Sequence, residues 1–453
     1  MYFWIYNLGL ILVSPIILGL LLTKKRCQRG LLPRLGLLPV ELQQLQKPVI
    51  WVHAVSLGEV TAVLPMLHAM KKRYPQWPLL VSTVTETGRE MVIKQLGGIA
   101  THCYAPLDFP WAVSRYVRTL QPKLFILVES ELWPNLLKSL HRHQVPICLV
   151  NGRISSRSFS RYVWVKGLMR RVLVCLDVAL MQTVRDAERM RELGGDALAI
   201  HVTGNMKFDQ VPDLSDARYS KGALRGALRL GSEEVVLVAG STHPKEEEIL
   251  LEAYRTLIRS HPRVVLVMAP RHIERASILE QVIQEYGLKC VRRSQLASKP
   301  GSFAGEKGSR VILLDSRGEL PFVYRLGYVG FVGGTLIPVG GHNLLEPAQW
   351  ARPVMFGPYI DHCRDIAQRL LDEGGAIQIQ NQDSLVTHMI RLIDYPSEAE
   401  KMGQLALAVV EGQRGVIAKN LQWIDQLLNS SPASSVPNTV KVSPQVEPQE
   451  LLR

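Results

Sequence analysis

The chain has 453 residues, 47% of them hydrophobic, and carries 53 Lys and Arg against 40 Asp and Glu, a formal charge of +13. That length favours two or three compact units, and the composition excludes a chain too polar to bury a core. The charge calls for an anionic partner. With no long basic tract interleaved with aromatics and no nucleic-acid module, no nucleic acid is expected.

In chain order, Tyr2 to Leu22 carries no charged residue. As a helix it would extend about 30 Å, enough to cross a bilayer. A signal peptide would place its positive charge before the apolar run. Here the charge follows, in Lys24, Lys25, Arg26, Arg29 and Arg34, which puts the body of the protein on the cytoplasmic side. Residues 1–24 therefore read as a single N-terminal membrane anchor. Pro15 and two glycines weaken the helix and leave a shallow interfacial anchor as the alternative. The cysteines (Cys27, Cys103, Cys148, Cys175, Cys290, Cys363) are scattered, as free thiols of a reducing compartment would be. Without paired ligand spacings, no metal is expected.

Short apolar runs then alternate with helical patterns. Strands are predicted at Pro48–His53, Leu79–Thr83, Leu124–Val128, Pro146–Val150, Val178–Met181 and Ile200–Thr203, with helices over Glu59–Tyr74 and from Trp133. A polar hinge spans Asp209 to Ser220. A second series follows, with strands at Val235–Ala239, Val264–Met268, Val311–Leu314, Gly327–Val332 and Val354–Phe356, and a helix over Lys245–Ser260. Such alternation marks parallel sheets built from strand–helix–strand units. The reading is an α/β protein of two Rossmann-like, doubly wound domains facing a cleft, residues 25–212 and 213–429. A disordered tail covers 430–453.

Ligands of such sheets sit beyond the carboxyl ends of the strands, and the chemistry-bearing residues fall there. After the first strand comes His53-Ala-Val-Ser-Leu-Gly58-Glu59. Glu59 stands at a helix N-terminus, where the dipole favours an ionised carboxylate, either as a general base or as a helix cap. After a later strand, Glu129-Ser-Glu131-Leu-Trp-Pro-Asn135 offers two carboxylates to steer a substrate, stabilise a cationic centre or form salt bridges. Thr203-Gly-Asn-Met-Lys207 offers a cation for a phosphate or carboxylate, or only a surface lysine.

In the second half, Gly240-Ser241-Thr242-His243-Pro244 with its acidic sequel reads as a helix opening able to take a phosphate. Met268-Ala-Pro270-Arg271 supplies a guanidinium for a phosphate or sugar carboxylate, and Arg317-Gly318-Glu319 opens a helix. Val332 to Ala348 is the densest motif. Its paired glycines permit close backbone approach to a ligand, and Asn343 and Glu346 lie one helical turn apart across Leu344 and Leu345.

Taken together, HAVSLGEV, ESELWPN, GNMKFD, AGSTHPKEEE, APRH, GEL and GGTLIPVGGHNLLEPA resemble, in order, the bacterial 3-deoxy-D-manno-octulosonic acid (Kdo) transferases of lipopolysaccharide biosynthesis. The resemblance implies an inverting GT-B glycosyltransferase of the cell inner membrane, with no cofactor and no metal. It would move Kdo from CMP-Kdo to a lipid A precursor, lipid IVA. By the same resemblance Glu59 is the base, and Glu129 and Lys207 stabilise the transition state. CMP meets Pro270 and Arg271, Arg317 to Glu319, and Asn343 to Glu346, with Ser241 and Thr242 lining the pocket. Arg317 departs from the uncharged residue, often Met, common there, and Leu344 from a frequent Pro. Another GT-B enzyme using a different nucleotide-sugar on a membrane lipid is the alternative. A tethered nucleotide-sugar-binding regulator is a third reading.

Overall fold

The structure is a computed structural model that describes residues 2–23, 30–210, 216–298 and 308–429. The basic residues 24–29, part of the hinge (211–215) and the tail 430–453 lie outside the described residues. Contacts divide the chain into two units: Met1–Asn205 with Ile417–Arg453, and Met206–Val416. The sequence reading drew its boundary at residue 212 and kept the last helix in the second domain. Instead the Val416–Asn429 helix packs with the first unit. There Trp423 stacks on His201 at 3.9 Å, and Asp425 accepts a 2.6 Å hydrogen bond from the Tyr74 hydroxyl.

The first unit holds a parallel sheet of β1 (Val49–His53), β2 (Leu79–Thr83), β3 (Ala100–Tyr104), β4 (Pro122–Val128), β5 (Ile147–Gly152), β6 (Val178–Met181) and β7 (Ala199–Val202), ordered β3-β2-β1-β4-β5-β6-β7. The second holds β8 (Val235–Thr242), β9 (Val264–Pro270), β10 (Cys290–Arg292), β11 (Arg310–Leu313), β12 (Val329–Val332), β13 (Val354–Phe356) and β14 (Ala376–Gln378), ordered β10-β11-β9-β8-β12-β13-β14. Helices cover both faces, so the strands are continuous apolar runs rather than alternating ones. All five residues of β1 are buried. On β8 the side chains still divide by face. Val236 and Val238 join one core, and Leu237 and Ala239 the other.

Both sheets reverse their winding once near the middle, between β1 and β4 in the first and between β8 and β12 in the second. At such a point the loops leaving two adjacent strands diverge and open a crevice at the strand ends. Glu59 follows β1 and Glu129 follows β4. The Ser241–His243 turn ends β8, and the glycine-rich loop follows β12.

The expected N-terminal helix forms over Tyr2–Thr23, and its first turns are docked on the first unit. The Tyr6 hydroxyl donates to Asp108 at 2.9 Å, Asn7 accepts from the Asn135 amide at 2.6 Å, and the Lys138 ammonium lies 4.1 Å from the Phe3 ring. Asp108 also accepts from the backbone N–H groups of Asn135 and Leu136, and burial pushes its carboxyl up to about 6 against these bonds. Arg34 had been counted with the flanking basic cluster. It is instead buried, stacked over Tyr104 at 4.8 Å and bonded to the Val84 carbonyl. Among the described residues no helix is long and apolar enough to cross a membrane, and the spanning anchor read from the sequence is not supported. The docked first turns are taken out of the length available to lipid.

Candidate active site

Glu59 is held by the turn from β1 into the helix Leu57–Arg73. Ser56 is the N-cap, its Oγ accepting from the Glu59 N–H at 3.3 Å and donating to Glu59 Oε1 at 2.8 Å. The Val55 N–H donates to Oε2 at 2.8 Å. This is a reciprocal capping arrangement, so the capping role is real. It does not hold the carboxyl in the ordinary carboxylate range, as the dipole argument expected. Glu59 is only 6% exposed. Burial first, and the nearby Glu129 charge second, push its carboxyl up to about 8 despite the Val55 and Ser56 hydrogen bonds. Desolvation outweighs the helix terminus because the terminus contributes only about 0.3–1 kcal/mol.

Glu129 leaves β4, the strand paired with β1, with its N–H bonded to the Val150 carbonyl at 3.0 Å and φ at 61°. A left-handed non-glycine residue is strained by about 1–2 kcal/mol, and such strain collects at functional sites. Glu131 is turned to another task, accepting from the Trp133 indole at 3.0 Å, and its charge acts on Glu59 less than that of Glu129. Trp133 packs edge-on against His53 at 4.9 Å. His53 shares a 2.8 Å hydrogen bond with Ser82, and burial pulls its imidazole down to about 3. It supports the site as a neutral ring.

In the second unit, Ser241 takes φ 57° at a bulge in β8. Thr242 is wholly buried, its hydroxyl donating to Glu247 at 3.1 Å. The sequence reading made Thr242 a pocket lining, but its side chain faces inward. Acidic residues after the Ser241–His243 turn are engaged with a neighbouring loop. The carboxylate of Glu246, the first residue of the Glu246–Ser260 helix, accepts from the N–H groups of Gly334, Thr335 and Leu336 at 2.8, 3.1 and 2.9 Å. Glu247 binds the Arg275 guanidinium at 3.0 and 3.2 Å. The acidic first turn thus clamps the loop after β12 onto β8. Gly333 is needed there, because a Cβ would stand 2.4 Å from the Ser241 carbonyl.

The clamped loop folds back on itself, the Gly341 N–H donating to Gly334 at 2.8 Å with φ of 103° and 83° at Gly340 and Gly341. It delivers His342, Asn343 and Glu346. Burial pushes the Glu346 carboxyl up to about 7, against a hydrogen bond from Asn343 and the nearby Arg271 charge. Leu344 and Leu345 are buried in the core, so only their backbone can meet a ligand. Pro270 ends β9, leaving Arg271 exposed just beyond it. Arg317 is exposed and paired with Glu274 at 2.6 Å; Gly318 has φ 86°; Glu319 is held by Arg293 at 3.1 Å and by the Ser316 hydroxyl.

A family profile described as 3-deoxy-D-manno-octulosonic-acid transferase matches residues 29–210. The chain is 31% identical to the 3-deoxy-D-manno-octulosonic acid transferase of Haemophilus influenzae over 84% of its own length and 87% of the relative's. The chain belongs to the Kdo transferase family. The enzyme of the same name from Chlamydophila psittaci is 33% identical over 78% of each chain. Among solved structures, a UDP-N-acetylglucosamine 2-epimerase from Listeria monocytogenes, described as putative, shares the fold at 14% identity. Its TM-score is 0.55, covering 86% of this chain and all of that one.

Within this Kdo transferase family member, Glu59 and Glu129 are brought together in the first unit. Lys207, on the turn Met206–Asp209, and all the nucleotide candidates belong to the second. The sequence reading missed Glu246 and the contact between His243 and His342. Each had a signal, an acidic helix start and a histidine beside double glycines, but their partners lie 88 to 99 residues away.

Proposed function

We propose that this chain transfers Kdo from CMP-Kdo to lipid IVA with inversion, Glu59 acting as general base. The observation that carries the reading is the Glu59–Glu129 pair at the winding reversal of the first sheet. A buried carboxyl raised to about 8 holds an abstracted proton well near neutral pH, as a general base requires. The acceptor hydroxyl gives its proton to ionised Glu59 as its oxygen attacks the anomeric carbon. The sugar–phosphate bond breaks with its electron pair going to CMP. Glu129 stabilises positive charge at the sugar ring, and Lys207 the negative charge that develops on the leaving side. Arg271, Gly318, Asn343 and Glu346 receive the nucleotide, Glu346 being able to donate or accept toward ribose hydroxyls when half protonated. Incubation of the purified enzyme with lipid IVA and CMP-Kdo should yield products heavier by whole Kdo units in mass spectrometry. Reaction with a UDP-sugar instead would move the chain to another glycosyltransferase activity.

The N-terminal helix serves, in this reading, as an interfacial attachment to the cytoplasmic face of the inner membrane. Its outward residues Trp4, Leu8, Ile11, Leu12 and Ile16 are exposed, the pattern of a helix lying at a lipid surface. The double substitution Leu12→Asp and Ile16→Asp leaves the docked Tyr6 and Asn7 untouched. It should shift the protein from membrane pellet to supernatant while CMP binding holds. Unchanged sedimentation would place the attachment elsewhere on the domain.

A further inference from the structure

The loops after β8 and β12 leave adjacent strands and bring two imidazoles into direct contact, His243 Nε2 to His342 Nε2 at 2.8 Å. Such a contact needs one ring as donor and the other as acceptor, so the pair holds one shared proton and cannot keep the contact with both Nε2 atoms protonated. Guanidinium and imidazole groups surround it. Arg271 and His272 face the pair from the end of β9, Arg275 from the turn after it, and His362 from the segment before the Arg364–Asp372 helix. Three nearby acids have contacts of their own. Glu246 holds three loop amides, Glu247 holds Arg275 and Thr242, and Glu346 is bonded to Asn343 and faces Arg271. Burial first, and the Arg271 charge second, pull His342 down to about 4, and burial lowers His243 too. The pair therefore sits beside the guanidinium groups of Arg271 and Arg275, which disfavour its protonation.

We propose that the His243–His342 pair is the phosphate anchor of the donor site and takes up one proton as the bound phosphate gains its second negative charge. The inference rests on the donor reading above. When the sugar–phosphate bond breaks, the electron pair stays on the phosphate oxygen and a monoanionic diester becomes a dianionic monoester. The acceptor's proton goes to Glu59 and on to solvent, and one proton from solvent enters the imidazole pair. The pair thus matches its charge to the leaving group and releases the proton when CMP departs.

Calorimetric titration of the full-length protein with CMP at pH 7.5, in buffers of different ionisation enthalpy, counts the protons taken up. Uptake approaching one is expected with CMP and none with cytidine. The CMP affinity should fall by up to roughly tenfold per pH unit on the alkaline side. His342→Gln and His243→Gln should abolish the uptake while thermal unfolding stays cooperative. CMP binding without proton uptake by the wild type would overturn the proposal and needs no variant. So would uptake that persists in both folded variants, which would assign the proton elsewhere, Glu346 first. If CMP fails to bind but inorganic phosphate binds with proton uptake, the nucleotide reading fails while the pair's role stands. If neither binds, the anchor is wrong.

Discussion

Glu59→Gln should lower turnover by about 10²–10⁴-fold, the range general-base catalysis contributes. CMP binding, which the proposed function assigns to the second unit, should be unchanged. Gln keeps the shape and can still accept one of the two hydrogen bonds from Val55 and Ser56. The variant also has a signature in stability. The folded value of about 8 lies above the ordinary value of 4.5, so the folded state holds this proton more tightly than the unfolded chain. The stability it contributes is fully present below about pH 4.5 and is lost as pH rises through about 8. Gln cannot ionise, so the wild type should lose stability relative to Glu59→Gln over that window, by up to about 1.4 kcal/mol per pH unit. Urea denaturation at pH 5 and pH 8 reads the difference. Because Glu59 and Glu129 interact, the pair titrates together, and Glu129→Gln should move the rise of activity to lower pH. Near-normal turnover in Glu59→Gln would falsify its role as base and leave it a helix cap.

Glu246→Ala should have the largest effect on stability. The side chain is fully buried and accepts from three consecutive loop amides. A buried donor left without a partner costs about 1–3 kcal/mol. With partial recovery by water, the loss should be on the order of 3–5 kcal/mol, as when one partner of a buried charged interaction is removed. The consequence reaches function because the same loop carries His342, Asn343 and Glu346, so CMP affinity should fall although Glu246 is spent on the loop. Glu246→Gln should be intermediate, since its amide offers one acceptor oxygen and turns an N–H₂ toward N–H donors. A chemical-denaturation midpoint close to wild type for Glu246→Ala, with CMP binding retained, would show that the loop is held by its own hydrogen bonds.

The sequence by itself determined where the strands carrying the site run. β1, β4, β8 and β12 are dense apolar runs because both faces of each sheet are covered, and such runs are visible without coordinates. The motifs at their ends were legible for the same reason, since glycines and charges interrupt an apolar run at once. The sequence reading did not name β3, β10 or β14. Ala100–Tyr104 mixes polar with apolar residues, and Cys290–Arg292 and Ala376–Gln378 have three residues each. All three lie at the edges of their sheets, where burial constrains residue choice least.

Tertiary structure alone decided which strands are neighbours, and with that the chemistry. β1 lies beside β4 although two strands intervene in the chain, and this sets the Glu129 charge against Glu59 and overrides the helix dipole that local reasoning favoured. β8 lies beside β12, which makes the acidic helix start a loop clamp and joins His243 to His342. Spacing along the chain cannot report either effect. Desolvation and Coulomb interactions depend on distances between residues 70 to 99 positions apart, and only the order of strands in the sheet fixes those.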